Sequence, residues 1–128
     1  IKELTGGMGP NVIYDPVGGT YAEPCLRSIA WEGRYLVIGF AAGADQIPKM
    51  PLNLTLLKGC QIVGVFWGAW AGMFPEENQK NFTELFKMYE DGKINPAPSD
   101  KFSLDTSADA IAHLMNRKAK GKVVINFE

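Results

Sequence analysis

Three short apolar runs, separated by segments with helical spacing, constrain the fold of this chain more than any other feature. The runs are Val12–Asp15, residues 33–40 and residues 60–66. The first intervening segment gathers four apolar residues at the spacing i, i+3, i+4, i+7, namely Ala22, Cys25, Leu26 and Ile29. The second, residues 52–58, supplies a shorter helix that ends at Gly59. The order β-α-β-α-β with short connections predicts an α/β fold with a parallel sheet and right-handed crossovers.

The second part of the chain differs in style. A long helix begins at Pro75 and is predicted to run to about residue 91, with Gly92 as its cap. Two prolines within residues 93–100 then predict a crossing between structural regions. Residues 101–103 are extended, and a further helix and a closing strand follow. The predicted apolar face of that helix is Ala108, Ile111, Ala112 and Met115. His113 lies away from this face, so we expect a solvated histidine without a catalytic role.

Composition excludes several classes of function. The chain has 128 residues, of which 13 are basic and 14 acidic, and its formal net charge is −1. Proteins that bind nucleic acid or anionic membranes usually carry a basic patch, so we expect neither partner. No apolar run approaches the roughly 18 residues of a membrane span, and no segment has the pattern of a signal peptide. These features predict a soluble, cytoplasmic protein of one modest domain.

The cysteines, the histidine and the first residues carry three further expectations. Cys25 and Cys60 are far from C-x-x-C spacing, and one histidine cannot complete a usual zinc set, so we predict no metal site. Cys25 lies on the core face of its helix and should be unreactive. The opening "IKELTGG" has the pattern of a last helical turn closed by Gly6, without an N-cap or an initiator methionine. We therefore expect a fragment of a longer protein.

The glycines do not form a standard nucleotide-binding loop. G-x-G-x-x-G is absent, and "TGGMG" follows a helix and precedes a strand, the reverse of the required context. Gly18 and Gly19 do lie between a strand and a helix, but without the Lys-Ser/Thr pair of a P-loop. They predict either a tight turn with Thr20 as the N-cap or a ligand-binding edge of the sheet. Asp15 is either an acceptor for nearby backbone amides, which we favour, or a site carboxylate.

Small and aromatic residues follow the next two strands. The run 33–40 ends in Gly39 and a series of small residues, which suggests a cleft floor beside the first strand end. Residues 65–68 add flat apolar surface that could flank a planar ring. An alternative interpretation makes Trp67, Trp70 and Phe74 a hydrophobic cap or a subunit contact.

Four strings, "YDPVGG", "SIAWEGRYLVIGFAAG", "PLNLTLLKGCQIVGVFWG" and "RKAKGKVVI", together resemble one family over nearly the whole chain. The family is the zinc-independent NADPH:quinone oxidoreductase branch of the medium-chain dehydrogenase/reductase superfamily, in its carboxyl-terminal portion. Its members have a catalytic domain and a six-stranded, doubly wound nucleotide-binding domain. The resemblance implies that residues 1–98 are the second, βαβαβ half of an incomplete Rossmann-type domain. Residues 99–128 would be the segment that returns to the catalytic domain.

The resemblance also implies a cofactor groove for NADPH. The turn of Pro16, Val17 and Gly18 would edge this groove, and Tyr21 would lie near the cofactor. The backbone of Ile38, Gly39, Phe40 and Ala41 would pass beneath the nicotinamide, and Val65, Phe66 and Trp67 would lie beside its ring. No catalytic acid or base is predicted in this chain.

Two hypotheses of different classes follow. In the first, the intact protein transfers a hydride from NADPH to a quinone or an activated alkene, and this fragment is inactive alone. Residues 60–66 would then form a sheet edge that pairs with a second subunit in a homodimer. In the second, the chain is a non-enzymatic dimerisation module that uses the same edge and the aromatic segment 66–74. A hydrolase is disfavoured because no Ser, Cys or Asp forms a partner set with the single histidine.

Overall fold

The computed structural model describes residues 1–127. The chain forms two compact units, Ile1–Met73 and a second that begins at Phe74. The family resemblance places a boundary at residue 98, between two domains of a longer protein. This boundary stays a prediction. No helix within the described residues has both the length and the apolar character needed to cross a membrane.

The first unit contains a three-stranded parallel sheet. Its strands are β1 (Val12–Asp15), β2 (Arg34–Val37) and β3 (Gln61–Gly64), in the order β1-β2-β3. Tyr35 is in register with Ile13 on one side and with Ile62 on the other. The predicted β-α-β-α-β order and the parallel pairing are confirmed, and β3 lies at one edge of the sheet. Strands β2 and β3 are shorter than the apolar runs that predicted them, because the last residues of each run leave the sheet as loops.

Three helices accompany this sheet: α1 (Ala22–Ser28), α2 (Asn53–Lys58) and α3 (Trp67–Met73). Gly59 ends α2 in the left-handed conformation at φ 54°, as predicted. The prediction of Thr20 as an N-cap is wrong. Thr20 lies inside a 3-10 turn, Gly19–Tyr21, and the residue before α1 is Tyr21, whose side chain makes no capping bond. Helix α3 was not predicted from the sequence.

The core of the first unit lies between α1 and one face of the sheet. Leu26 and Ile29 are fully buried, and they cluster with Ala22, Tyr35 and Leu54. On the opposite face Val12 and Tyr14 are more than half exposed, so within this unit the sheet is covered on one face only. Gly9, at φ 88°, lets the chain pass against the carbonyl oxygen of Ser28, where a Cβ atom would collide.

The second unit contains a long helix and a small sheet. Its elements are α4 (Pro75–Glu90), β4 (Pro98–Ser103), α5 (Ser107–Met115) and β5 (Lys122–Asn126). Strands β4 and β5 run parallel, and α5 packs on both of them. Pro75 begins α4, and Gly92 follows its end at φ 68°, which confirms the predicted bounds of this helix.

The predicted core face of α5 is wrong. Ala110 is the buried residue of this helix, whereas Ile111 and Met115 are 58% and 78% exposed. His113 lies three residues after Ala110 and therefore shares its face rather than pointing into solvent. Its ring lies 5.7 Å from that of Phe102, and its Nε2 is 3.3 Å from Oδ2 of Asp100, although no aligned hydrogen bond joins these two atoms. The side chain of His113 is partly buried because α5 packs on β4, which contains Phe102 and Asp100.

Candidate functional site

An apolar groove of about 580 Å³ opens at the carboxyl ends of β2 and β3. It is lined by Val37, Ile38, Gly39, Phe40, Gly64, Val65 and Phe66. None of these side chains is charged, so the groove suits an uncharged, flat group better than a phosphate or a carboxylate.

The groove forms where β2 and β3 end, at Val37 and Gly64, before the apolar runs that contain them are complete. Strand β3 ends at Gly64, where a Cβ atom would meet nothing within 4 Å, so the space above this residue is open. The amide of Val65 donates to the carbonyl of Val37 at 2.9 Å and holds the two strand ends together. Phe40 and Phe66 are 43% and 80% exposed, and their rings supply aromatic surface at the groove. Aromatic faces of this kind stack with planar rings.

The turn after β1, which we call the β1 turn (residues 16–18), is fixed to the same end of β2. The amide of Ala41 donates to the carbonyl of Pro16 at 3.1 Å, and the amide of Ala42 donates to the carbonyl of Val17 at 2.9 Å. Gly18, at φ 68°, allows the ring of Phe40 to pack directly on the turn, because a Cβ atom there would lie 3.0 Å from that ring. The β1 turn and the groove wall at Phe40 are therefore in contact.

Asp15 is the buried acceptor that organises this turn. Its Oδ1 accepts hydrogen bonds from the amides of Val17 and Gly18, each at 2.8 Å, and its Oδ2 accepts one from the hydroxyl of Tyr35. We call these four groups the Asp15 network. The favoured interpretation of Asp15, an acceptor for nearby amides, is confirmed. The same bonds exclude a phosphate-binding role for the amides of Val17 and Gly18, since both already donate to a carboxylate.

The Asp15 network shifts the acidity of its members in opposite directions. Burial alone would raise the pKa of Asp15, but the hydrogen bonds from Tyr35, Gly18 and Val17 together outweigh it, and the pKa is lowered. The pKa of Tyr35 is raised, first by burial and then by its bond to Asp15. At neutral pH the carboxyl is ionised and the phenol keeps its proton. Burial and the charge of Asp15 also raise the pKa of Cys25, in agreement with an unreactive thiol.

The structure brings together only some of the residues that the resemblance assigned to the cofactor. Five of them line the groove: Ile38, Gly39, Phe40, Val65 and Phe66. Pro16, Val17 and Gly18 form the adjoining turn, to which Ala41 is bonded. Tyr21 is 69% exposed in the 3-10 turn before α1, and Trp67 begins α3 immediately after Phe66. Sequence reasoning missed Val37 and Gly64, which lie inside the predicted runs and are the last residues of the observed strands β2 and β3.

Comparison with known proteins places this architecture in a family. A family model described as zinc-binding dehydrogenase matches residues 2–125. This chain belongs to that family. Among curated proteins, the Nematostella vectensis quinone oxidoreductase-like protein 2 homolog is 40% identical, and the match covers 98% of this chain and 34% of the relative. The Rattus norvegicus quinone oxidoreductase-like protein 2 is 38% identical, with 100% and 36% covered. The chain thus spans about a third of the length of these relatives.

Solved structures agree with this membership. A quinone oxidoreductase structure from Pseudomonas syringae matches with a TM-score of 0.81 at 26% identity, over 98% of this chain and 38% of that chain. A mycobacterial structure complexed with NADPH matches with a TM-score of 0.78 at 27% identity, over 97% and 38%. The Rossmann-type α/β fold and the resemblance to the quinone oxidoreductase branch of the medium-chain dehydrogenase/reductases are confirmed.

The family description names zinc, but the residues that the structure describes do not fit a zinc site. Within residues 1–127 no three His, Cys, Asp or Glu side chains gather closely enough to hold a metal ion. A structural zinc site needs four protein ligands and a catalytic one needs three.

Proposed function

We propose that this chain forms the nicotinamide side of the NADPH groove in a quinone oxidoreductase that reduces a quinone or an activated alkene. The observation that carries this proposal is the apolar groove at the carboxyl ends of β2 and β3. Open parallel sheets bind ligands at this end of their strands. Kinship with proteins named as quinone oxidoreductase-like favours a redox cofactor as the occupant of the groove.

The proposed cofactor contacts follow the parts of the groove. Ile38, Gly39 and Phe40, continued by Ala41, would hold the underside of the nicotinamide, and Val65, Phe66 and Trp67 its side. The β1 turn would form the edge, with Tyr21 nearby. NADPH, when bound, supplies the hydride. The role of this chain's residues is then to orient the ring by apolar contact and to keep water from its reactive face.

The residues that line the groove have no side chain that could transfer a proton. Asp15 and Tyr35 have shifted pKa values, but both are buried and they are hydrogen-bonded to each other. A general acid or base must reach the substrate within hydrogen-bond distance, and neither group lines the groove.

The pyrophosphate of NADPH would have to be bound by residues other than those of the groove and the β1 turn. The chain contains no G-x-G-x-x-G, and the amides of the β1 turn are already bonded to Asp15. We therefore propose that the chain alone binds NADPH weakly and is inactive. Residues 1–98 would belong to the nucleotide-binding domain and residues 99–128 to the catalytic domain. The segment 60–66, whose strand β3 lies at a sheet edge, would pair with its counterpart in a second copy.

A titration of the ¹⁵N-labelled chain with NADPH tests the proposal by nuclear magnetic resonance. The expected result is a saturable shift of the amide signals of residues 38–40 and 64–66. The variant Gly64→Leu places a side chain in the open space of the groove and should reduce these shifts several-fold. Gly72→Leu is the matched control, because a Cβ atom at Gly72 in α3 also meets nothing within 4 Å.

The outcomes separate the two hypotheses. Groove shifts that Gly64→Leu removes and Gly72→Leu retains support the cofactor role. A tight dimer in analytical ultracentrifugation, combined with no NADPH-dependent shift at any concentration reached, would favour the dimerisation module instead. Shifts that are equal in both leucine variants would place the nucleotide elsewhere and contradict the proposal.

A further inference from the structure

The carboxylate of Asp15 joins β1 to β2, the strand that leads into one wall of the groove. Asp15 is the last residue of β1, and its Oδ2 accepts a hydrogen bond from the hydroxyl of Tyr35 in β2. Its other oxygen, Oδ1, accepts hydrogen bonds from the amides of Val17 and Gly18. Both carboxylate oxygens are thus used, and the residue is 9% exposed. The hydroxyl of Tyr35 in β2 therefore holds the carboxylate of Asp15, which in turn holds the amides of the β1 turn.

The β1 turn in turn supports the groove wall. The ring of Phe40 packs against Gly18, and the carbonyls of Pro16 and Val17 accept the amides of Ala41 and Ala42. A change in the orientation of the turn must therefore reach Phe40. This ring also borders a smaller cavity of about 120 Å³ that Asp15 and Tyr35 line as well. If the turn loosens, the ring has space into which it can move.

We propose that Tyr35 and Asp15 are positioning residues for the cofactor: the hydroxyl holds the carboxylate, the carboxylate holds the β1 turn, and the turn holds Phe40 against the nicotinamide. This inference rests on the proposed function of the groove. Pre-organised walls of this kind lower the entropy that the protein must lose when a ring binds. Neither residue touches the cofactor, so the effect of each is indirect.

Amide hydrogen exchange in the ligand-free chain tests the first half of this proposal. Tyr35→Phe removes one hydroxyl and keeps the ring, and Tyr14→Phe makes the same change at a 67% exposed position of β1. Loss of a bond to a charged group should speed exchange at Val17 and Gly18 about tenfold or more in Tyr35→Phe. It should also move their amide proton signals. Tyr14→Phe should do neither.

A pair of Asp15 variants checks the role of the carboxylate itself. Asp15→Ala removes both acceptor atoms, whereas Asp15→Asn keeps one oxygen that can still accept the turn amides. The proposal expects exchange at Val17 and Gly18 to be fastest in Asp15→Ala and intermediate in Asp15→Asn. If Asp15→Ala does not fold, the comparison of Tyr35→Phe with Tyr14→Phe still decides the matter.

NADPH titration of the same variants tests the second half, at a temperature where each is fully folded by circular dichroism. The dissociation constant should rise several-fold in Tyr35→Phe and stay within twofold of the parent value in Tyr14→Phe. A merely structural role would lower the unfolding temperature but leave the dissociation constant of the folded protein unchanged, which would overturn the proposal. Unchanged exchange at the β1 turn would overturn it as well.

Loss of NADPH binding and loss of the positioning effect can be told apart. If the unaltered chain gives no NADPH-dependent signal, the proposed function fails, and with it the cofactor half of this proposal. If the chain binds NADPH but Tyr35→Phe changes neither exchange nor affinity, only the positioning role fails.

Discussion

Replacing Tyr35 by Phe should lower the free energy of unfolding by about 1.5–3 kcal/mol at pH 7, the usual worth of a hydrogen bond to a charged group. Tyr35 is 2% exposed, and Phe fills nearly the same volume, so no cavity should contribute. The loss therefore comes from the carboxylate of Asp15, which keeps two amide donors and loses its third.

The cost of this substitution should depend on pH. The folded chain lowers the pKa of Asp15 below its unfolded value of about 3.9. The stabilisation from the ionised carboxylate is therefore present above that value and is lost as the pH falls through the folded pKa. Below the folded pKa the carboxyl is neutral, and the missing bond should cost only about 0.5–1.5 kcal/mol.

Urea unfolding followed by tryptophan fluorescence measures this cost, since all three tryptophans lie in the first unit. The parent, Tyr35→Phe and Tyr14→Phe are compared at pH 7 and at the lowest pH at which the parent remains folded. Tyr14→Phe should stay within about 0.5 kcal/mol of the parent. A Tyr35→Phe cost that is equally large at both pH values, or no larger than that of the control at pH 7, would refute the assigned role of the carboxylate.

Three further outcomes follow from the packing of the first unit. Gly9→Ala should cost about 2–5 kcal/mol in urea unfolding from backbone strain and collision, whereas Gly6→Ala, at similar φ but in open space, should cost about 1–2 kcal/mol; equal costs would contradict the close approach. Leu26→Ala should cost about 2–5 kcal/mol and the exposed Leu56→Ala less than about 0.5 kcal/mol, and a smaller gap would place Leu26 outside the core. Folding raises the pKa of Tyr35, so the protonated phenol stabilises the fold fully below its unfolded pKa of about 10, and this stabilisation is lost as the pH rises through the folded pKa. In alkaline unfolding the free energy of unfolding should therefore fall faster with pH for the parent than for Tyr35→Phe. Parallel slopes would contradict this expectation.

The sheet could be predicted from the sequence because its signals are local. Each strand has a compact apolar run, and Gly59 and Gly92 mark helix ends by the conformations that glycine adopts at low cost. Helix α3 was missed for the opposite reason. Its sequence "WGAWAGM" contains two glycines and no capping residue, so neither propensity nor pattern indicates a helix there.

The Asp15 network could be predicted only in part. The aspartate before a proline and a glycine turn indicated an acceptor for local amides, which is a contact within three residues. The partner Tyr35 lies 20 residues away along the chain. Only the strand register, with Ile13 beside Tyr35 and Asp15 beside Val37, shows that both side chains share a face. For α5, local spacing predicted a face around Ile111, but the packing of this helix on the small sheet, with His113 against Phe102 and Ala110 buried, determines which side is covered.

The most direct test of the proposed cofactor groove is a measurement of intermolecular nuclear Overhauser effects between NADPH and the ¹⁵N,¹³C-labelled chain. The groove at the ends of β2 and β3 predicts contacts from the nicotinamide ring protons to the side chains of Ile38, Phe40 and Phe66. It also predicts that Gly64→Leu abolishes these contacts. Contacts from the nicotinamide to residues outside the groove, with none to Phe40 or Phe66, would contradict the assignment.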